Sequence, residues 1–416
     1  MANARCNKIN SRETELSAKV EEHTAIDPQD CSSNRGEREH ENETWFHGLL
    51  PREDINKLLT RDGDYLVRVS EPEPGMGLKT VLSARWKGAN HHFVVNENDG
   101  RVFIEDKRFR SVMEMIQYYV RERKPVTKST EAILIAPIPK QDWEFKHEWI
   151  ELGKKLGEGA FGGVYAGILT LNKQKFEVAV KVNKAGDITK KIIAEICKEA
   201  RLMRRYSHPN VVKFYGVAVE HEPVMLVMEM VSGGALDVFL QKNGSNITKK
   251  ERLLYAVCAA RGLDYLHENN CLHRDVAARN CLVNDCEVKL SDFGLSRELS
   301  NRAKKYRMKD MHQRLPIRWL APEVLTTGTY SKKSDVYSFG ILLWEIYHNG
   351  QIPYEDMSPA EVTASVVAGY RLSPPQRMPK RVSTIMTVYC FPASPDERTQ
   401  MREVRLALED ALQSLS

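Results

Sequence analysis

The stretch from His273 to Asn280, followed twelve residues later by the tripeptide Asp292–Gly294, constrains this chain more than any other feature. Two short apolar runs joined by a polar turn lie between them, and this layout predicts a β-hairpin flanked by two loops. Such loops can bring Asp275, Asn280 and Asp292 to one point. Their oxygen atoms suit Mg²⁺, and Asp275 would remain available to accept a proton from a hydroxyl nucleophile.

Either tripeptide alone is most often an ordinary turn or a solvated loop, so each by itself is weak evidence of catalysis. Their order and spacing carry more information. His-Arg-Asp from residue 273, an asparagine five positions after Asp275, and Asp-Phe-Gly from residue 292 resemble the protein-kinase signature. The resemblance implies a bilobal kinase domain that uses ATP and Mg²⁺, with Asp275 as catalytic base and Asn280 and Asp292 as metal ligands.

A glycine-rich segment, residues 156–164, has the pattern Gly-x-Gly-x-x-Gly-x-Val. Dinucleotide-binding folds share this spacing, but there a helix follows the glycines. Here residues 164–169 continue as an apolar strand, which favours the hairpin that covers the phosphates of ATP in protein kinases. The resemblance implies that the ATP-contacting residues are Leu156, Gly157, Glu158, Gly159, Ala160, Phe161, Gly162, Val164, Ala179, Lys181, Met228, Glu229, Met230 and Leu282.

Lys181 lies in an apolar strand, residues 176–182, and Glu199 lies in a helix predicted from about residue 187 to 205. A lysine in such company can be an edge residue whose ammonium reaches solvent, and the charged neighbours of Glu199 are typical of a solvated face. The kinase resemblance implies instead that Lys181 contacts the α- and β-phosphates and that Glu199 holds the lysine. It also makes Met228 the gatekeeper at the hinge between the lobes.

Two local features bear on which hydroxyl is phosphorylated. Serine/threonine kinases place a lysine two residues after the catalytic aspartate, whereas this chain has Ala277 there and Arg279 two positions further on. That arrangement, together with Pro-Ile-Arg-Trp at residues 316–319, resembles the tyrosine kinases, in which the proline holds the substrate backbone far enough away for a phenol to reach Asp275. The sequence therefore favours tyrosine as the acceptor over serine or threonine.

Tyr306 lies amid clustered cations between residues 301 and 309. A basic run is usually a solvated loop. We hypothesise that the unmodified loop is mobile because its cations repel one another. A phosphate on Tyr306, at roughly −1.5 to −2 charge, would draw the loop onto Arg274 and nearby cations, which makes Tyr306 the expected regulatory phosphosite.

The segment from residue 45 to 136 predicts a compact α+β module that contains a helix, a three-stranded meander and a second helix. Arg68 lies inside one of its apolar strands, where a guanidinium is costly unless an anion pairs with it. An internal salt bridge and a fixed site for a phosphate fit this position equally well.

The segments Trp45–Gly48, Tyr65–Ser70 and His91–Phe93 together resemble an SH2 domain. The resemblance implies an antiparallel sheet flanked by two helices that binds phosphotyrosine. Val69 departs from the family, which usually has an acidic residue at that position. The phosphotyrosine-binding residues are expected to be Arg52, Arg68, Ser70 and His92.

Composition sets the remaining limits. Residues 1–44 are polar, which predicts a disordered tail, and residues 137–149 contain proline breaks and predict a linker. The kinase resemblance implies that residues 150–416 are the kinase domain. A net charge of +5 gives no reason to expect nucleic acid as a partner. No apolar run reaches the roughly 20 residues that span a bilayer. Eight scattered cysteines without a Cys-x-x-Cys pair indicate a reducing compartment, the cytoplasm.

An SH2 domain followed directly by a tyrosine kinase resembles the non-receptor tyrosine kinases, most closely the Fes/Fer group. The resemblance implies phosphorylation of tyrosine in protein substrates, recruitment by phosphotyrosine-containing proteins, and contact with the inner face of the plasma membrane only through such partners. Members of the group carry an N-terminal F-BAR domain, which 44 polar residues cannot hold, so curvature binding is not expected. The alternative, a catalytically inactive phosphotyrosine-binding adaptor, is disfavoured by the presence of Lys181, Glu199, Asp275, Asn280 and Asp292.

Overall fold

The computed structural model describes residues 39–73, 75, 77–159, 162–183, 190–300, 303–308 and 315–414. The predictions made for Ala160, for Phe161 and for residues 1–38 lie outside these ranges. Within them, the chain forms an amino-terminal α+β module and a two-lobed domain, as the sequence predicts. Among the helices in this part of the chain, none combines the length and the apolar character needed to cross a membrane.

The amino-terminal module is a four-stranded sheet between two helices. Its central strand, β1 (Asp64–Ser70), has five consecutive buried residues because both faces of the sheet are covered. The second helix begins where the Ser111 hydroxyl accepts a hydrogen bond from the Glu114 backbone N–H. The elements are α1 Arg52–Leu58, β1, β2 Lys79–Trp86, β3 Ala89–Val94, β4 Asn96–Asn98, β5 Arg101–Phe103, α2 Val112–Glu122 and β6 Ala136–Pro137, with sheet order β3-β2-β1-β6.

The fold begins before residue 45, the predicted domain start. Residues Glu39–Asn42 form a 3₁₀ helix. The buried ring of His40 packs edge-on against Phe46, with 5.4 Å between the ring centroids. Residues 39–44 are therefore part of the fold, although their polar sequence predicted the end of a disordered tail.

Residues 137–149, predicted as a linker, contribute to both domains. The strand Ala136–Pro137 runs parallel to the central strand of the amino-terminal sheet, and a further strand, β7 (Glu144–Phe145), joins the sheet of the two-lobed domain. The carboxylate of buried Glu144 lies 2.9 Å from Nδ1 of His47 in the amino-terminal module. The segment thus connects the two sheets through strand pairing and a buried hydrogen bond between His47 and Glu144.

The small lobe of the two-lobed domain is a six-stranded sheet with one helix. Its other elements are β8 Ile150–Gly159, β9 Gly162–Leu171, β10 Gln174–Asn183, α3 Lys190–Met203, β11 Phe214–Ala218 and β12 Met225–Glu229. With β7 at one edge, the strand order is β7-β11-β12-β10-β9-β8. The buried face of α3 presents Ile193, Ile196 and Ala200 to the core, which is the helical spacing expected of an amphipathic helix.

The large lobe is mainly helical. Its elements are α4 Leu236–Asn243, α5 Lys249–Glu268, β13 Cys271–Leu272, β14 Cys281–Asn284, β15 Glu287–Leu290, β16 Arg297–Glu298, β17 Lys305–Arg307, α6 Pro322–Thr327, β18 Thr329–Ser331, α7 Lys332–Tyr347, α8 Pro359–Val367, α9 Lys380–Thr384 and α10 Met401–Gln413. The β14–β15 pair is the hairpin predicted between the two catalytic loops. Helix α7 is buried along most of its length and lies at the centre of this lobe.

The amino-terminal module packs directly on the small lobe. Gly48 permits this approach, because a Cβ at this position, where φ is +51°, would lie 2.1 Å from the carbonyl oxygen of Val219. The neighbouring Leu49 N–H donates a 2.6 Å hydrogen bond to that oxygen. Leu50 and Ile55 belong to the same buried apolar cluster as the residues of α3. The two domains therefore share a buried apolar cluster where they meet, while the amino-terminal module also has a core of its own.

Candidate active site

Three charged side chains from three elements meet between the lobes. Nζ of Lys181 on β10 lies 2.9 Å from both carboxylate oxygens of Glu199 on α3 and 3.6 Å from Oδ1 of Asp292. Burial acts to lower the pKa of Lys181, but the two carboxylates outweigh it and raise the pKa, so the lysine stays charged. Burial acts to raise the pKa of Asp292, but Lys181 and a backbone N–H lower it below its usual value. The cleft thus holds one cation between two carboxylates.

The glycine-rich segment joins β8 to β9. Gly162 has to be glycine, because a Cβ there would lie 1.9 Å from the carbonyl oxygen of Val182. Val164 pairs with Gly157 on one side and with Lys181 on the other, which positions the hairpin beside the lysine. Leu156, Glu158 and Gly159 also lie on β8, whereas Ala160 and Phe161 lie outside the described residues.

Other predicted ATP contacts lie at the hinge and in the large lobe. The backbone N–H of Glu229 donates a 2.9 Å hydrogen bond to the carbonyl of Lys213, so this N–H is not available to an adenine base. The carboxylate of Glu229 forms an ion pair with Lys289, which links the hinge to β15. The remaining predicted contacts are Ala179 on β10, Met228 on β12, Met230 directly after β12, and Leu282 on β14.

The loop after β13 carries the predicted catalytic base. Arg279 donates a hydrogen bond from Nη2 to Oδ1 of Asp275, and Nδ2 of Asn280 donates a 2.8 Å hydrogen bond to the Asp275 carbonyl. Burial raises the pKa of Asp275, and this effect outweighs the charge of Arg279, which acts to lower the pKa. Sequence reasoning gave Asp275 no partner, but the structure pairs it with Arg279, which orients the carboxylate. A raised pKa makes this carboxylate a stronger proton acceptor than an ordinary aspartate.

Two acidic residues of α7 hold the catalytic loop, and sequence reasoning missed both. The carboxylate of Asp335 accepts hydrogen bonds from the backbone N–H groups of His273, at 2.8 Å, and Arg274, at 2.9 Å. His267 also lies 3.1 Å from Asp335. Glu345 accepts a 2.9 Å hydrogen bond from the backbone of the same loop. The available signal was a carboxylate inside an otherwise apolar helix, since buried charges require partners.

Asn280 and Asp292 offer the oxygen atoms that a hard divalent cation takes. Because Nδ2 of Asn280 is held by the Asp275 carbonyl, Oδ1 is the amide atom left to bind a cation. Asp292 adopts φ +58°, a strained conformation that the surrounding structure imposes on a non-glycine residue. The two side chains fit a metal site, while the described ranges contain no cluster of three or more acidic, histidine or cysteine residues.

Tyr306 lies on β17, which pairs with β18. The guanidinium of Arg274 lies 4.8 Å from the centre of the Tyr306 ring and 4.0 Å from that of Tyr330. The predicted phosphosite and the predicted phosphate-binding arginine are therefore in contact without any modification. Residues 301–302 and 309–314 of this segment lie outside the described residues.

Three of the four predicted phosphotyrosine-binding residues line one cavity of about 240 Å³, whereas the fourth, His92, is not part of its lining and has Nδ1 2.9 Å from the Ser83 hydroxyl. Arg68, 5% exposed, lines the cavity together with Arg52 and Ser70. Burial, and then the charge of Arg52, lower the pKa of Arg68 to about 10, and its Nε has no hydrogen-bond partner among the described residues. Burial and the same two arginines lower the pKa of His92 to about 4, so its ring is neutral. This geometry favours an anion-binding role for Arg68 over an internal salt bridge.

The two-lobed fold and the charged residues in its cleft define a protein kinase preceded by an α+β module. The family model "Protein tyrosine and serine/threonine kinase" matches residues 150–408, and the SH2 domain model matches residues 45–119. The chain belongs to the protein tyrosine and serine/threonine kinase family and carries an SH2 domain.

Relatives place the chain more narrowly. It is 39% identical to human tyrosine-protein kinase Fer over 88% of this chain and 43% of that protein. It is 35% identical to the transforming tyrosine-protein kinase Fps of avian sarcoma virus strain PRCII, over 86% of this chain and 65% of the viral protein. Fer-related kinase 1 of Caenorhabditis elegans is 35% identical over 89% of this chain and 94% of its own length. The predicted similarity to the Fes/Fer group is confirmed, although the chain spans less than half of human Fer.

Proposed function

We propose that this chain transfers the γ-phosphoryl group of ATP to tyrosine side chains of proteins, while its SH2 domain binds phosphotyrosine peptides. The observation that carries the proposal is the Lys181–Glu199 ion pair beside Asp292, in the domain whose catalytic loop presents Asp275. Buried charges are costly unless they are paired, and the pairing with Glu199 keeps Lys181 charged at the cleft beside Asp292. Protein kinases use a lysine and a metal-binding aspartate of this kind to hold ATP.

Asp275 is the proton acceptor in this mechanism. General base catalysis of this kind contributes roughly 10²- to 10⁴-fold to rate. The Arg279 that orients Asp275 also stacks on Trp319, with 4.1 Å from its guanidinium carbon to the ring centre. The base is thus connected to the segment predicted to position a substrate tyrosine. That contact, together with the tyrosine-kinase names of the relatives, supports tyrosine as the acceptor.

Lys181, Asn280 and Asp292 would hold the phosphates and the metal. Lys181, kept charged by Glu199, would contact phosphate oxygens directly. Asn280 and Asp292 would hold Mg²⁺ through one amide and one carboxylate oxygen. When bound, Mg²⁺ neutralises charge that develops on the transferring phosphoryl group.

The SH2 domain would bring the kinase to phosphotyrosine-containing proteins in the cytoplasm, including proteins at the inner face of the plasma membrane. The buried Arg68 with its unpartnered Nε among the described residues supports this role. The domain also packs on α3, the helix that carries Glu199. This packing supports a second role, in which the SH2 domain braces the small lobe. Peripheral membrane contact would come through the bound partners.

Phosphoamino-acid analysis separates the competing functions. The purified chain would be incubated with ATP, Mg²⁺ and peptides that contain tyrosine, serine and threonine, and we expect phosphotyrosine alone. Lys181→Met is the control, and we expect it to be inactive. Phosphoserine or phosphothreonine would indicate a serine/threonine kinase. Absence of labelling by the parent at high ATP and Mg²⁺ would indicate the alternative, an inactive phosphotyrosine-binding adaptor.

A further inference from the structure

The cavity that contains Arg52 and Arg68 has a second wall, and this wall belongs to the kinase domain. Lys190, Ile193 and Ala194 of helix α3 line it together with the SH2 residues. We propose that the kinase domain forms part of the phosphotyrosine receptor, and that Lys190 is a binding residue for the phosphorylated ligand. The inference rests on the proposed phosphotyrosine binding by the SH2 domain.

The charges around the cavity favour a dianionic ligand. Arg52, Arg68 and Lys190 supply three cations, against the carboxylates of Glu53 and Glu71. The Glu71 carboxylate already accepts a 2.7 Å hydrogen bond from the backbone of its own loop. Arg68 is the most buried of the cations and has an Nε without a partner in the described part of the chain. A phosphate entering the cavity would meet an incompletely satisfied guanidinium and an ammonium from a different domain.

The cavity also has apolar surface on both sides. Ile193 and Ala194 contribute from the kinase domain, and Leu49 and the half-exposed Leu78 contribute from the SH2 domain. Phosphotyrosine combines a dianionic group with an apolar ring, and both kinds of surface are present here. The SH2 domain alone would lack the part of this surface that α3 supplies.

The test compares phosphotyrosine-peptide affinity among variants of the whole chain, measured by titration calorimetry at low and high salt. We expect Lys190→Ala to weaken binding about three- to tenfold at low salt and less at high salt, because salt screens exposed charges. Lys190→Glu should weaken it further. Lys191→Ala is the matched control: Lys191 is the exposed neighbour outside the cavity lining, so its loss should leave affinity unchanged.

Stability measurements show whether a loss of peptide affinity only reflects unfolding of the variant. Because Lys190 is exposed, neither Lys190 variant should change the melting temperature appreciably. Arg68→Leu distinguishes the role proposed for Lys190 from the proposed binding of phosphotyrosine by the SH2 domain. If Arg68→Leu abolishes binding while Lys190→Ala and Lys190→Glu bind like the parent, the kinase wall takes no part and the inference is wrong. If Arg68→Leu binds like the parent, the phosphotyrosine site itself is wrong.

Discussion

Asp54 of the SH2 domain forms an ion pair with Arg201 of α3, two residues beyond Glu199 on the same helix. The side chains are 4% and 18% exposed. Burial raises the pKa of Asp54, while the charge and hydrogen bond of Arg201 oppose this shift. The helix that brings Glu199 to Lys181 is therefore held from the SH2 side by a largely buried contact.

Replacing Asp54 with alanine should lower the free energy of unfolding by about 2 kcal/mol, because it leaves the Arg201 guanidinium without its charged partner in a mostly buried position. Urea unfolding measures this difference. Asp62→Ala is a suitable control, since Asp62 is half-exposed and lies 3.9 Å from Arg85, and exposed pairs contribute at most about 1 kcal/mol. Equal losses in the two variants would show that the interdomain pair adds nothing beyond a surface contact.

Arg68→Leu should abolish phosphotyrosine-peptide binding without lowering the melting temperature of the unliganded chain. Burial lowers the pKa of Arg68, which shows that its charge is poorly solvated there. The shorter, uncharged leucine side chain removes that cost. Arg85→Leu, on the neighbouring strand and outside the cavity lining, should keep its affinity. A large fall in melting temperature for Arg68→Leu would mean that Arg68 has a structural partner.

Sequence reasoning located the residues of the kinase cleft because their spacing is local. Asp275 and Asn280 lie on one loop, and Asp292 follows the intervening hairpin, so turn chemistry and strand length largely determine their relative positions. Asp335 and Glu345 were missed because their role depends on how α7 packs beneath that loop. Such a contact joins distant positions, since His273 and Asp335 are 62 residues apart in the chain.

Domain boundaries were harder to predict for the same reason. The segment 137–149 has proline breaks that indicate irregular backbone, and nothing in its local sequence indicates its bridges to two different sheets. The hydrogen bond between His47 and Glu144 spans 97 positions. Residues 39–44 are ordered by the ring of His40 on Phe46, which composition alone does not reveal.

The stability of the interdomain region should depend on Glu220 in acid. Burial acts to raise the pKa of Glu220, but hydrogen bonds from His147 and Lys140 lower it to about 2, below the ordinary 4.5. The folded state therefore binds the proton more weakly than the unfolded state. The stabilisation that ionised Glu220 gives the folded state is fully present above a pH of 4.5, the ordinary pKa of a glutamate. It is lost as the pH falls toward 2.

Glu220→Gln should consequently be less stable than the parent at neutral pH, and the difference should shrink as the pH falls to about 3. This difference in stability is measured from the urea concentration at the midpoint of unfolding, determined for both proteins at several pH values. A difference that stays constant over this range would mean that the ionisation of Glu220 does not stabilise the fold.

Tyr306→Phe should prevent activation by preincubation with ATP. The parent should gain activity because a phosphate beside Arg274 adds a charge-assisted contact to a ring that the guanidinium already covers. Tyr330→Phe is the control, since Tyr330 also contacts Arg274 but is 2% exposed and inaccessible to a kinase. Mass spectrometry of the preincubated parent should show phosphate on Tyr306. Equal activation of the Tyr306→Phe variant and the parent would contradict the proposed switch.

The central claim is that Asp275 accepts the proton of a tyrosine hydroxyl during phosphoryl transfer. The most direct test is the rate at which purified Asp275→Asn protein labels a tyrosine peptide, compared with the parent at saturating ATP and Mg²⁺. The melting temperature and its increase on ATP binding serve as controls for folding and nucleotide binding. We predict a loss of at least about 100-fold with both controls unchanged. An unchanged labelling rate would contradict the proposed mechanism.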